Sequence, residues 1–540
     1  MPTLNWIGKD KVLTHHTEVP YRVLDRKYTF GDTPDSGNMI IHGDNLEALK
    51  SLLPRYENSI KCIYIDPPYN TGNEGWVYND NVNDPHIRTW LGKVVGKELD
   101  DLTRHDKWLC MMYPRLVLLQ RLLAEDGAIF ISIDENELAS LKFICDEIFG
   151  SSNFVGQWQW YKSATPPNLS HKIKRNIEYV LGYEKRKNNS KYTGMQKVSK
   201  SDDPLIKPQN TIKQLTFPAG TIQFKGIADG TVPAGIYGTA KYSNTLLTDA
   251  VIVDSTNAND ITFENRFIWT QEKLEEELGK DTRINCSKSL VLSYKKANYD
   301  PEVPPNLIDE SVGVDTTEEA GKLLTRIFGK KVFDFPKPPS LIEYLLSFLC
   351  DENSIILDSF AGSGTTAHAV LELNQQDGGN RKFILCEMCD YAESITAERV
   401  RRVIKGFGEG KNAVEGTGGG FDFYELGETI FDPATENLND NANTEQIKEY
   451  VWYSETHAAY VAPGAGAHPY LLGSFKYTNY YFYYVKGEET CLDWDFLKTF
   501  TERDRAEAYV IYADRCVLTP EELLKFNITF KKIPRDIKRV

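Results

Sequence analysis

The chain has 540 residues, 41% of them hydrophobic and 26% charged, which is too long for one ordinary core and too evenly mixed for a disordered or fibrous protein. A net charge of −15 argues at first sight against a nucleic-acid partner, and with no 18-residue apolar run and no basic region ahead of an apolar core at the start, neither a membrane span nor a signal peptide is expected. Nine scattered cysteines, an odd number, argue against a disulfide framework and fit the reducing cytoplasm; the pair Cys386 and Cys389 faces no second cluster at zinc-ligand spacing, so no metal is expected.

Residues 1–37 carry Trp6, His15, His16 and Tyr21 without a strong period and read as an arm packed on the core. Met39–His42 then reads as a strand ending in a Gly43-Asp44-Asn45 turn, with Leu46, Leu49, Leu52 and Leu53 at helical spacing beyond it. Asp44 or Asn45 suits a helix cap as well as a ligand contact, and chemistry alone leaves both open. Cys62–Ile65 is a second strand, and it feeds Asp66-Pro67-Pro68-Tyr69-Asn70-Thr71-Gly72. Open α/β sheets place ligands beyond the carboxyl ends of their strands, where Asp66 falls. Two prolines fix φ near −65° and hold the Asp66 carboxylate and the carbonyl after it rigidly, an acceptor pair suited to an amino group with two hydrogens to donate. Tyr69 adds a flat face on which a nucleobase taken out of a helix would stack.

Residues 73–105 have little hydrophobic period and hold Trp76, Tyr78, His86, Trp90 and His105, a length and place that suit a mobile lid over a flipped base. A helix over 107–124 and a strand over 128–133 follow; Asp134, Glu135 and Glu137 read as acids in a helix first turn. From Tyr161 to Lys213 there are twelve Lys or Arg against four acids, so the negative balance is segregated. Lys162, Lys172, Lys174, Arg175, Lys185, Arg186 and Lys187 are expected to meet phosphates, with nearby Asn, Gln and Arg reading base edges. Residues 156–330 lack βα alternation and read as an inserted domain.

The core resumes with a helix carrying Leu341, Ile342, Leu345, Leu346 and Leu349. A strand at 355–358, a turn over 360–364, a helix from Thr365 and a strand over 382–387 then make one βαβ unit. Its loop reads Gly362-x-Gly364-x-x-Ala367, with Glu387 at the tip of the next strand, where a carboxylate can hold a ribose diol. NAD enzymes share that pattern; a phosphate-binding P-loop is excluded by the missing lysine. The Gly-rich and Asn-rich stretch 405–445 reads as a linker, and 446–540 as a small α/β domain.

The run Asp66–Gly72 resembles the catalytic motif of DNA amino-methyltransferases, with Asp in first place as in the adenine-N6 branch, and Asp358-x-Phe360-x-Gly362-x-Gly364 resembles their S-adenosylmethionine loop. Catalytic turn before cofactor loop, with a basic insert between, resembles the β group; the arm and the Tyr-Ala-Asp-Arg-Cys tail resemble modification subunits of type III restriction–modification systems. The resemblance implies an α/β fold: a permuted Rossmann-like core on a mixed, mostly parallel seven-stranded sheet, an inserted α+β target-recognition domain and a small C-terminal domain. The implied boundaries are an arm at 1–37, core at 38–155 and 331–425, target recognition at 156–330 and the C-terminal domain at 426–540. It further implies methyl transfer from S-adenosylmethionine to adenine N6 in flipped-out duplex DNA, a homodimer, and a separate helicase and nuclease subunit if the chain serves restriction. Asp66, Pro67, Pro68 and Tyr69 would be catalytic, and Asn70 would face DNA. Asp44, Asn45, Asp66, Lys337, Asp358, Phe360, Ala361, Gly362, Ser363, Gly364, Thr365 and Glu387 would hold the cofactor. The rival expectations are a cytosine-N4 or RNA methyltransferase on the same scaffold, a specificity or assembly subunit with a relic core, and an NAD-dependent oxidoreductase.

Overall fold

The computed structural model describes residues 3–31, 36–71, 104–164, 172–194, 202–239, 242–297, 302–432, 435–439 and 441–538. The lid expected over 73–105 therefore lies outside the described residues, apart from its end at Arg104 and His105. The chain divides into two compact units, Met1–Tyr192 with Pro305–Val540, and Thr193–Pro304.

The first unit is organised by a sheet of ten strands, the central ones apolar on both faces. In chain order these are β1 (Arg22–Gly31), β2 (Met39–His42), β3 (Ile60–Ile65), β4 (Leu123–Ile133), β5 (Phe154–Tyr161), β6 (Ile177–Glu184), β7 (Leu307–Ile308), β8 (Ile355–Asp358), β9 (Lys382–Glu387) and β10 (Gly420–Thr429). They form one ten-stranded sheet in the order β1-β10-β2-β9-β8-β3-β4-β6-β5-β7. The strands β2, β9, β8, β3 and β4 are mutually parallel, and β6 is antiparallel to both β4 and β5. The sheet thus has ten strands where seven are expected.

Alternation along the strands decides which residues face which helix layer. Ile63, Ile65, Ile129 and Ile131 pack with α1 (Asn45–Tyr56) and α2 (Arg104–Leu122). Cys62, Tyr64, Ala128 and Phe130 pack on the other side with α3 (Pro339–Leu346), α4 (Thr365–Asp377) and α5 (Glu398–Lys405). The helix after β3 therefore covers one face and the helix after β8 the other, although β3 and β8 are neighbours. The chain diverges at their carboxyl ends, and a crevice opens where a doubly wound sheet binds its ligand.

Two sequence expectations change here. The arm 1–37 supplies the edge strand β1, and the stretch 405–445, read as a linker, contains the ten-residue strand β10, paired with β1 and β2. Several of its glycines serve close approach, since a Cβ on Gly420 would lie 2.5 Å from the Phe30 carbonyl oxygen and one on Gly416 2.3 Å from that of Ile404.

The second unit starts at residue 193 and ends at 304, so β5, β6 and β7, expected inside the insert, belong to the main sheet. Its described residues hold a seven-stranded and a four-stranded sheet and the helix Gln271–Leu278 around a core that includes Phe217, Phe224, Phe263, Phe267 and Trp269. Within the first unit, the C-terminal residues form the helix α6 (Thr444–Thr456) and a four-stranded sheet of Leu471–Phe475, Thr478–Phe482, Ala508–Ala513 and Ile528–Lys532. Their core includes Tyr21 and Val23 from the arm, so this region is joined to the main unit by packing.

Candidate active site

Four neighbouring parallel strands each deliver an acid at or just past the carboxyl end: Asp44 after β2, Glu387 on β9, Asp358 on β8 and Asp66 after β3. Asp66 follows a fully buried run, and the bend after it is pinned where Trp108 Nε1 donates to the Pro68 carbonyl at 2.7 Å. Its Oδ1 accepts from the Tyr69 hydroxyl at 2.8 Å, and its Oδ2 from Lys337 Nζ at 2.6 Å. Lys337 is 9% exposed, lies 5.0 Å from the Tyr69 ring centroid, and its backbone carbonyl accepts from the Thr365 hydroxyl at 3.2 Å. One residue therefore links the proline bend to the glycine loop. Burial opposes the Lys337 ammonium, but Asp66 and Glu178 outweigh it and hold its pKa above the ordinary lysine value.

The glycine loop is organised by carboxylates and one buried guanidinium. Gly362 and Gly364 have φ of 52° and 79°, and a Cβ on Gly364 would stand 3.0 Å from the Thr396 carbonyl oxygen. The loop can therefore bring bare backbone to a ligand only because both residues are glycine. Glu387, buried, accepts from Gly362 N at 2.7 Å and Cys389 N at 3.0 Å. Asp358 accepts from Phe360 N at 3.0 Å and the Thr366 hydroxyl at 2.6 Å. Arg399, 1% exposed, donates to Ser363 Oγ at 2.9 Å and Thr365 Oγ1 at 2.7 Å, so those two hydroxyls anchor the loop from behind. Ala361 and Phe360 are buried at its mouth.

Asp44 caps α1 through Leu46 N at 2.8 Å and also lies 3.4 Å from Arg115 Nη2. Asn45 accepts from Arg115 Nε at 2.5 Å and donates to the Ser359 carbonyl at 3.0 Å, tying the β2 turn to the glycine loop. Asn70, expected to face DNA, is instead fully buried in the left-handed region (φ 60°), with its amide donating to Glu137 Oε1 at 2.5 Å. Glu137 also receives His105 Nδ1 at 2.6 Å, so this acid braces the turn at Asn70 rather than a helix end.

Burial raises the Asp358 carboxyl to about 7, with Asp66 and Glu387 adding to the rise and the Thr366 and Phe360 hydrogen bonds opposing it. A folded-state pKa above the unfolded one means that the protonated form stabilises the fold fully below about pH 4, and that this stability is lost as pH rises through about 7. Between pH 6 and pH 8 the wild type is expected to lose about 1 kcal/mol of unfolding free energy that Asp358→Asn does not lose. Parallel denaturant titrations of the two proteins check this, and identical pH slopes contradict it.

The basic stretch does not stay together. Exposed Lys172, Lys174 and Arg175 precede β6, whose first residues pair with the carboxyl ends of β4 and β5, on the Asp66 rim. Arg175 is paired with Glu135 at 2.6 Å. Lys185, Arg186 and Lys187 follow the other end of β6, beside the start of β4 and across the sheet from Asp66. There Lys185 donates to the Leu123 carbonyl at 2.8 Å and Lys187 to the Phe154 carbonyl at 2.9 Å. Lys162 turns inward to Glu178 at 2.9 Å.

A family model described as DNA methylase matches residues 60–398, which span the proline bend, the glycine loop and the strands between. The chain belongs to this DNA methylase family. Among relatives of the DNA methylase, the type III restriction-modification enzyme StyLTI Mod subunit of Salmonella typhimurium is 31% identical over 71% of this chain and 58% of its own length. The EcoP15I Mod subunit of Escherichia coli is 31% identical over 72% of this chain and 64% of its own. The type II methyltransferase M.KpnI of Klebsiella pneumoniae is 30% identical over 67% of this chain and 84% of its own. The chain thus spans about three fifths of the two Mod subunits. Sequence reading of this DNA methylase missed Glu178, Arg115, Arg399 and Trp108 as site residues. Trp108 and Arg115 were legible only as helix positions, and Glu178 and Arg399 carry no local signal.

Proposed function

We propose that the chain transfers a methyl group from S-adenosylmethionine to N6 of adenine in duplex DNA, as the modification subunit of a type III restriction–modification system. The observation that carries this reading is the bridge by Lys337, whose side chain holds Asp66 and whose carbonyl receives the glycine-loop hydroxyl of Thr365. Acceptor and donor site thereby share one crevice, and proximity is a large part of any direct transfer.

The residues present fit the methyl donor. Gly362 and Gly364, both in the left-handed region, leave bare backbone along the loop, and Asp358 and Glu387 offer carboxylates for amino and ribose groups. Asp44, Asn45, Phe360 and Ala361 would complete its walls. S-Adenosylmethionine supplies a methyl group activated by a sulfonium. Asp66 and the Pro67 carbonyl would accept the two N6 hydrogens, which lets the nitrogen become tetrahedral and aim its lone pair, and would stabilise the positive charge that grows there. The Tyr69 hydroxyl holds Asp66 in register for that task. A purine must enter beside a Tyr69 ring that is now buried and faced by the Lys337 ammonium.

The second unit is proposed to read the target sequence, with a partner subunit supplying helicase and nuclease. The relatives named as Mod subunits of type III restriction-modification enzymes support a modification role within such a system. Sequencing the methylome of a host expressing the chain, with mass spectrometry of its nucleosides, tests base, motif and reaction together; N4-methylcytosine in place of N6-methyladenine overturns the adenine reading. Neutralising Lys172, Lys174 and Arg175 to Gln is expected to weaken DNA binding and to lower the slope of log affinity against log salt by about 2. The same change at Lys185, Arg186 and Lys187 is expected to leave the slope in place. Titrations between low and moderate salt compare the two triple variants.

A further inference from the structure

Glu178, near the start of β6, is 7% exposed. Its Oε2 accepts from the Tyr69 hydroxyl at 3.0 Å and stands 3.4 Å from Lys337 Nζ, while its Oε1 accepts from Lys162 Nζ at 2.9 Å. Asp66, Lys337, Glu178 and Lys162 thus form a chain of alternating charge whose two middle members are buried and whose ends are half-buried, with the Lys337 ammonium also 5.9 Å from the Trp160 ring.

On the donor reading above, that ammonium is a chemical handicap. It fixes Asp66, but it places a positive charge, out of water, where a sulfonium must bind and where an amine becomes cationic. Repulsion between like charges is strong in such a setting unless a counter-charge cancels it. Lys162, itself positive, cannot serve. Asp66, at 2.6 Å, is the nearer counter-charge but is also the group that must meet the amine, whereas Glu178, 3.4 Å from the Lys337 ammonium, can balance that charge without this second duty.

We propose that Glu178 is a positioning residue whose carboxylate cancels the charge of Lys337, so that the crevice accepts the cationic methyl donor over its neutral demethylated product. The proposal rests on the donor reading. Desolvated charge pairs of this kind act through the field they set, and a neutral isostere at either position changes that field while keeping shape.

The test is calorimetric titration of the full chain with S-adenosylmethionine and, separately, S-adenosylhomocysteine, which differ by one positive charge and one methyl group. Glu178→Gln is expected to lower the ratio of the two affinities on the order of tenfold in disfavour of the cation, the scale of one nearby unit charge in a partly screened site. Lys337→Gln is expected to move the ratio the other way, the double variant to return within about threefold of wild type, and Glu178→Asp to keep the wild-type ratio. A merely structural role weakens both ligands alike, so an unchanged ratio in Glu178→Gln overturns the proposal. If Glu178→Gln fails to fold, as judged by its thermal melt, Lys337→Gln decides: a ratio shifted toward the cation supports the proposal and an unchanged ratio overturns it. Wild-type protein that binds neither ligand overturns the donor reading itself, a result distinct from binding with an unaltered ratio.

Discussion

Asp66→Ala is expected to lower single-turnover methylation by at least about 10³-fold, far more than the roughly tenfold loss of S-adenosylmethionine affinity expected when a charge beside Lys337 is removed. The side chain is asked both to orient an amine and to stabilise the charge that develops on it, and loss of one preorganised partner alone costs about 10²–10³. Most of the donor affinity is kept because the glycine loop is held by other groups, Glu387 at 2.7 Å from Gly362 N and Arg399 on Ser363 and Thr365. Asp66→Asn gives a second point: it keeps the shape but sets an amide nitrogen where Lys337 or the substrate amine must donate, so its rate is expected to fall nearly as far. Rapid-quench assays with labelled donor on duplex DNA measure the rate, and calorimetry the binding. Turnover by Asp66→Ala at the wild-type rate would end the mechanism.

Glu387→Ala is expected to have the converse signature. This carboxylate receives two backbone N–H groups in a buried site, and its truncation strands both donors. Each stranded donor costs about 1–3 kcal/mol, so stability should fall by about 2–5 kcal/mol. The glycine turn then loses its anchor and the proposed ribose contact together, and donor affinity should drop by at least about 100-fold. Glu387→Gln can accept one of the two N–H groups only, and should fall between. Denaturant melts and calorimetry on the same samples check both effects; a destabilised variant with intact donor affinity removes Glu387 from the donor site.

The sheet and both halves of the crevice were legible because each rests on a local pattern. Apolar runs of three or four residues marked β2, β3, β8 and β9, and the proline and glycine punctuation after β3 and β8 marked the ligand ends. What escaped depends on partners far along the chain. Lys337 meets Asp66 across 271 residues, and no spacing rule reports that contact. Glu178 looked like an ordinary acid in a basic stretch, and only the hairpin of β5 with β6 turns it toward Tyr69. The same hairpin separates Lys172 from Lys187, which charge counting had pooled. Gly416 and Gly420 imitated a flexible segment because sequence does not distinguish freedom from a backbone packed against backbone.

The strand order also governs how this protein must be born. Between β2 and β3 the sheet leaves room for β8 and β9, which leave the ribosome about 300 residues later. At roughly 5–20 residues per second, the flank of β3 that will receive β8 stays unpaired for some tens of seconds during synthesis. A bare apolar strand edge is a template for association with other nascent chains. Production of the full chain is therefore expected to respond strongly to slower translation, lower temperature and chaperones that shield such edges, whereas a stop placed before Ile355 leaves a half-sheet with no native way to close.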